Sequence, residues 1–231
     1  MRLYTFDMEI VIVLGGICIG YLAGSFSPAI VVTRFVTGSD IRQLGNANAG
    51  TANVGRSLGT GFGAIVFFAD VAKAILPMLA VRTLFDLDPA IEHAAVVLTG
   101  TAAVLGHCTP LYFRFRGGSG IATTFGAIGF VVPFELFASM LLGFVLVRSV
   151  VRNPEYRLGR WTAGVILLLV PFVVTISTFV LRIQLSEHIR IGGHPWYIVI
   201  GVWFSVLFAI YMNRKLYVSY IRNVLRTHRP S

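Results

Sequence analysis

IVIVLGGICIGYLAGSFSPAIVVTRFV, residues 10–36, is an apolar run whose only charge is Arg34. A helix needs about 20 consecutive apolar residues to cross the hydrocarbon core of a bilayer, so this run is long enough to span. Gly24, Ser25 and Pro28 interrupt it. Such a break is tolerated where neighbouring helices or a polar cavity satisfy the freed backbone groups. Further apolar runs follow at 61–81, 89–106, 121–133, 134–151, 161–181 and 196–212. The run at 121–133 is short and contains glycine, which suits a tilted or partly inserted helix. The pattern predicts an all-α integral membrane protein with about seven transmembrane helices.

Composition agrees. Of 231 residues, 56% are hydrophobic and 13% charged, about half the charged share of a soluble domain. The formal net charge of +9 would suggest nucleic acid in a soluble protein. Here the cations flank the apolar runs, where anionic headgroups and the positive-inside bias account for them, and no nucleic-acid partner is expected. With the N-terminus outside, the inner segments hold Arg34, Arg42, Arg56, Arg114, Arg116, Arg148, Arg152, Arg157, Arg160, Arg214, Lys215, Arg222, Arg226 and Arg229. The outer segments keep Arg2, Arg82, Arg182 and Arg190. That asymmetry sets the C-terminus in the cytoplasm and requires an odd number of spans.

Residues 1–213 therefore read as a single transmembrane domain of a multi-pass protein, and 214–231 as a basic tail. The tail is either an interfacial amphipathic helix or an ordinary positive-inside end. The first run reads as a retained helix, because no small-residue cleavage site follows it. Cys18 and Cys108 form no metal-ligand spacing. His93, His188 and His194 fall on the outer side and are assigned no chemistry, and Glu135 reads as surface.

Two inner segments carry the unusual chemistry. Residues 40–59 read DIRQLGNANAGTANVGRSLG. Glycines let backbone N–H groups approach a ligand, and successive amides can form an anion-binding nest. Asn46, Asn48, Thr51 and Asn53 add neutral polar groups, and Arg42 and Arg56 add charge; a flexible polar linker is the alternative. Residues 106–126 read GHCTPLYFRFRGGSGIATTFG. Gly117, Gly118 and Gly120 run straight into an apolar helix, whose first N–H groups and dipole suit phosphate. A tight turn with interfacial arginines is the alternative here, and the pattern is not a Walker loop. Both segments fall on one side of the membrane, which favours a shared site. Asp70 and Lys73 sit inside the second run, spaced to pair on one helix face. An ionisable residue there costs about 2.5–3.5 kcal/mol on insertion scales. A structural ion pair and a ligand role both fit, and neither residue is expected to be catalytic.

These residues resemble the bacterial acyl-phosphate:glycerol-3-phosphate acyltransferases of the PlsY type. The first family signature is matched by Asp40, Ile41, Arg42, Gly45, Asn48, Gly50, Asn53, Arg56 and Gly59, and the second by Gly106, His107, Pro110, Phe115, Gly117, Gly118, Gly120, Ala122 and Thr123. Asp70 and Lys73 match an Asp-x-x-Lys of the second span. The chain departs from the family at Asn46 (serine in the family), Ala47 (glycine) and Ser119 (lysine). The third signature is largely missing around Asn213, Arg214, Lys215 and Leu216.

The resemblance implies a cell-membrane (plasma or inner membrane) enzyme of phospholipid synthesis. It would move a fatty acyl group from acyl phosphate to glycerol 3-phosphate and give lysophosphatidic acid, with membrane lipids around it and no metal or cofactor. Gly45, Asn46, Asn48, Gly50, Asn53 and Arg56 would hold the acyl phosphate. Arg114, Arg116, Gly117, Gly118, Ser119, Gly120 and Thr123 would hold the glycerol 3-phosphate. His107, Arg56 and Asn48 are the expected catalytic residues, with His107 either the base or a structural hydrogen-bonding group. No nucleophilic serine or cysteine beside a base is visible, so transfer is expected to be direct. The departures leave two other readings open: a diverged paralogue with another phosphorylated acceptor, or a catalytically silent lipid- or phosphate-binding membrane protein. A transporter would show inverted repeats, and none is visible.

Overall fold

The computed structural model describes residues 5–150, 160–180, 183–184, 190–191, 193–212 and 214. Among these, nine α-helices run in chain order: α1 Phe6–Ser25, α2 Pro28–Thr37, α3 Thr51–Leu58, α4 Thr60–Leu84, α5 Pro89–Cys108, α6 Ile121–Val131, α7 Pro133–Val150, α8 Arg160–Val180 and α9 Trp196–Met212. A two-residue antiparallel pairing, Ile183 with Ile191 and Gln184 with Arg190, is the one departure from an all-helical architecture among the described residues. Four stretches are long and apolar enough to cross a membrane: Phe6–Thr37, Thr60–Leu84, Pro89–Phe113 and Thr162–Val180. Ile121–Val131 and Trp196–Met212 are shorter apolar helices. Large apolar side chains such as Phe35, Phe68, Phe137 and Phe179 lie exposed on the helices, as a lipid-facing surface requires.

Small residues let the backbones touch. Gly16, Gly20 and Gly24 recur every fourth position of α1 and face α5. A Cβ on Gly20 would strike the Thr99 carbonyl, and one on Gly24 the Ala103 carbonyl. From the other side, Gly106 of α5 abuts the Tyr21 carbonyl. Packing through such small-residue stripes is how helices associate in lipid, where burial of apolar surface gives little drive. A second apolar cluster joins α6, α7, α8 and α9 through Ile128, Leu136, Leu167, Val170, Val202 and Val206. A third, of Ile30, Ile41, Ala49, Val54 and Val66, lies beneath the first glycine-rich segment and anchors it.

Several sequence expectations change. The first apolar run is two helices with a break at Phe26 and Ser27; Pro28 opens α2, where its missing N–H costs nothing. The segment 40–59 is not all loop, because Ile41–Gln43 forms a 3-10 turn and Thr51–Leu58 forms α3. His107 lies in the last turn of α5 instead of after it. Pro133 starts α7 instead of closing the preceding run. Glu135, read as surface, is 2% exposed. Of the basic tail, 215–231 lies outside the described residues.

Candidate functional site

The two glycine-rich segments lie against each other, and arginines tie them together. Asp40 caps the 3-10 turn by accepting from the Arg42 N–H at 3.0 Å. Its carboxylate then takes Arg42 Nε at 2.9 Å and Nη2 at 2.8 Å, and Arg34 Nη2 at 2.7 Å. The Arg42 side-chain hydrogen bonds chiefly hold the Asp40 carboxyl down from its ordinary 3.8 to about 2. Arg42 also reaches across: its Nη1 donates to the Phe113 carbonyl at 3.1 Å and the Arg116 carbonyl at 2.9 Å. Arg34 stacks over the Phe113 ring, 5.9 Å from its centroid.

Within the first segment, Asn53 is the organiser. It is fully buried. Its amide nitrogen donates to the carbonyls of Ile41, Leu44 and Asn48, and its oxygen accepts from the Asn46 N–H at 3.1 Å. Gly45, at φ +54°, sits against the Asn53 oxygen, where a Cβ would collide. Both residues shape the loop. Ala47 occupies the left-handed region at φ 58°, a conformation that costs an L-residue about 1–2 kcal/mol.

The second segment folds back on the end of α5. The Gly117 N–H donates to the Cys108 carbonyl at 3.2 Å and the Gly118 N–H to the His107 carbonyl at 3.1 Å. A Cβ on Gly118 would meet both the Ala49 carbonyl and His107 Nε2. Gly118 is thus the point where the first segment, the second segment and the histidine converge. Gly120, at φ 73°, is the N-cap of α6 and has no capping side chain; Gly50 caps α3 in the same way.

Between them opens a cleft of about 200 Å³, lined by Asn48, Gly50, Thr51, Ala52, Phe67, Asp70, His107, Ser119, Ile121, Ala122, Phe125 and Ala163. Its wall holds the N-terminal turns of both α3 and α6, whose first amides have no acceptor within the helix. Oriented N–H groups of this kind bind anions without a formal charge. The apolar part of the wall comes from α4, α6 and α8.

At the wall sits a buried polar cluster. Asp70 Oδ1 lies 2.8 Å from Lys73 Nζ and 3.2 Å from His107 Nδ1. Lys73 Nζ is 2.8 Å from His107 Nδ1 and donates to the Phe26 carbonyl at 2.9 Å. The lysine thereby satisfies the backbone at the break between α1 and α2. Thr123 Oγ1 is 3.2 Å from His107 Nδ1.

Of the expected site residues, the cleft gathers Asn48, Gly50, His107 and Ser119, with Gly117, Gly118, Gly120 and Thr123 supporting them. Arg56, Arg114 and Arg116 are exposed and do not line it. Asn46 turns its Oδ1 to the Asn48 N–H at 3.3 Å. Asp70 was not among the expected site residues, although an ionisable pair inside a span is by itself a functional signal.

A family model described as "Glycerol-3-phosphate acyltransferase" matches residues 14–226. A glycerol-3-phosphate acyltransferase of Anaeromyxobacter sp. (strain Fw109-5) is 43% identical over 119 residues, covering 52% of this chain and 58% of the relative. One from Dehalococcoides mccartyi is 38% identical over 162 residues, covering 68% of this chain and 73% of the relative. Among solved structures, PlsY (YgiH), an integral membrane glycerol 3-phosphate acyltransferase in its glycerol 3-phosphate form, superposes with a TM-score of 0.72 at 26% identity, covering 95% of this chain and 96% of that one.

Proposed function

The chain belongs to the glycerol-3-phosphate acyltransferase family of integral membrane enzymes, and from that membership we propose that it transfers a fatty acyl group from acyl phosphate to glycerol 3-phosphate. A glycerol hydroxyl attacks the acyl carbonyl carbon, a C–O ester bond forms, and the bond to the phosphate oxygen breaks. Lysophosphatidic acid and inorganic phosphate leave, the latter carrying the hydroxyl proton. The donor is already activated, so the protein has to hold two anions, align the attack and stabilise charge on the carbonyl oxygen.

One observation carries this reading. Two uncapped helix N-termini open on one cleft beside a buried Asp–Lys–His cluster, with an apolar wall that suits an acyl chain. In the proposed arrangement Asn48, Gly50 and the α3 amides take the acyl phosphate. Ser119, Gly120 and the α6 amides take the glycerol phosphate. His107 and Asn48 face the reacting groups, and the exposed Arg56, Arg114 and Arg116 draw anions to the mouth. Seven spans, with the N-terminus outside, would put this mouth on the cytoplasmic face of the plasma or inner membrane.

Purified protein given palmitoyl phosphate and labelled glycerol 3-phosphate is expected to make labelled lysophosphatidic acid. Ser119→Lys restores the charge that the family carries at that position and is expected to raise turnover of glycerol 3-phosphate. Ser119 lining the cleft also favours a second reading, a less anionic acceptor. Inactivity on glycerol 3-phosphate with turnover of another phosphorylated alcohol would select it.

A further inference from the structure

Segment 111–116 reads LYFRFR and follows a stretch, Pro89–Phe113, that is long enough to cross a membrane. It therefore lies at the end of a span, at the level where bilayer and water meet. Its inner side is pinned. The Leu111 N–H donates to Ser25 Oγ at 3.2 Å, and the Tyr21 hydroxyl donates to the Thr109 carbonyl at 2.8 Å. The Phe115 N–H donates to the Pro110 carbonyl at 2.9 Å, and Arg42 Nη1 holds the Phe113 and Arg116 carbonyls. Under these tethers Arg114 and Phe115 both take left-handed backbone, at φ 57°. Bulky L-residues avoid that region, and strain of this kind persists only where the surroundings impose it. The result is an outer side on which Leu111, Tyr112 and Phe115 are 46%, 56% and 59% exposed, with Arg114 and Arg116 exposed among them.

The charge around the segment is one-sided. Arg34 and Arg42 share Asp40, whereas the side chains of Arg56, Arg114 and Arg116 make no ion pair or hydrogen bond among the described residues. Asp86, Asp88 and Glu92 lie at the opposite end of α5, about 30 Å away for a helix of its length. A dissolved anion would answer the arginines and leave Leu111, Tyr112 and Phe115 in water. A zwitterionic lipid would cover the rings but set its own cation against the arginines. An anionic phospholipid meets both demands, with its phosphate on the guanidinium groups and its chains against the rings.

We propose that segment 111–116 is a docking surface for an anionic phospholipid of the adjoining leaflet, gripped by Arg114 and Arg116 with Tyr112 and Phe115 seated beside its chains. Neither arginine lines the cleft, so this lipid is distinct from the reacting molecules, and the contact does not depend on the acyl-transfer reading. It still reaches the cleft through the chain. Ser119 lies three residues beyond Arg116 and lines the opening. The Arg116 carbonyl is tied to the first glycine-rich segment through Arg42. A lipid seated here braces the segment that carries Ser119.

The test is photocrosslinking in vesicles of equal parts phosphatidylglycerol and phosphatidylcholine, with p-benzoylphenylalanine replacing Tyr112 and the captured lipid identified by intact mass. Phosphatidylglycerol is expected to exceed phosphatidylcholine in the adduct by about fivefold or more, as arginine contacts with anionic headgroups imply. Equal capture, or capture of neither lipid, would overturn the proposal. The control carries the same photoreactive residue in place of Phe137, which is exposed near the start of α7 at the far end of the bundle. There the two lipids are expected in equal amounts. A preference as strong as at Tyr112 would overturn the proposal, because it would belong to the bilayer and not to the segment.

Arg114→Gln combined with Arg116→Gln is expected to bring capture at Tyr112 to parity, and an undiminished preference would overturn the arginine grip. If that variant does not fold, the unaltered protein decides. Native mass spectrometry after release from the same vesicles is expected to show retained phosphatidylglycerol; retention of phosphatidylcholine alone, or of no lipid, would overturn the proposal. A minor amount of palmitoyl phosphate in the vesicles is expected to leave the Tyr112 adduct unchanged. Its replacing phosphatidylglycerol there would make the surface a port for the acyl donor and overturn the phospholipid assignment.

Discussion

Two buried carboxylates in this protein each face a histidine, one at either end of α6. Asp70 meets His107 at 3.2 Å near the start of α6. Glu135 meets His194 at 2.7 Å beyond its end, with the Ser177 hydroxyl donating to the same carboxylate oxygen at 3.1 Å. The ingredients are alike and the surroundings are not. Asp70 and His107 border a cleft reached by two helix N-termini and two touching glycine segments. Glu135 sits between α7, α8 and the residue pair before α9, next to the packed side chains of Leu136, Val170, Val174 and Ile198. A carboxylate–histidine pair becomes a reactive site through the space and donors beside it. Without them the same pair is a rivet between helices.

The sharpest way to break this contrast is to remove both histidines in turn. His107→Ala is expected to lower acyl transfer by about 100-fold or more, and His194→Ala by less than about threefold at equal amounts of folded protein. Comparable losses in both would erase the distinction. Next in size is Glu135→Ala, which removes the carboxylate that His194 meets and leaves Ser177 only the Val174 carbonyl. A cost of about 1–3 kcal/mol should appear as a lower unfolding midpoint with unchanged activity of the folded fraction.

Arg42→Lys tests whether the cleft depends on the bridge between segments. Lysine cannot reproduce the planar fork, so at least one hydrogen bond to Asp40 or the second segment is lost. With about 1 kcal/mol per bond, KM for the phosphorylated substrates should rise about fivefold while the midpoint moves little.

Smallest is a pH effect on the same bridge. Because folding lowers the Asp40 pKa from 3.8 to about 2, its contribution is full above 3.8 and fades as pH falls through about 2. Unfolding midpoints of wild type and Asp40→Asn should differ at pH 5 and converge near pH 2. A gap that persists at pH 2 would mean that ionisation of Asp40 does not matter.

Apolar length and the spacing of glycines along 40–59 and 106–126 were enough to read a helical membrane protein with two paired glycine-rich segments. Those features are local, since each follows from what a residue costs in lipid or permits in its own backbone. The burial of Glu135 depends on neighbours distant in sequence, Ser177 and His194, and the inward turn of Asn53 on how its own segment folds around it. No pattern along the chain carries them.

Chain chemistry alone therefore determined the solvent, the helical class and which two stretches border the cleft. Tertiary structure decided which atoms face the opening: it set Lys73 between Asp70 and His107, and it set Gly118 between Ala49 and the imidazole. The reason is physical. A side chain's type is written at its own position, whereas its partners and its open side are set by how helices pack, as Lys73 and His107, 34 positions apart, show.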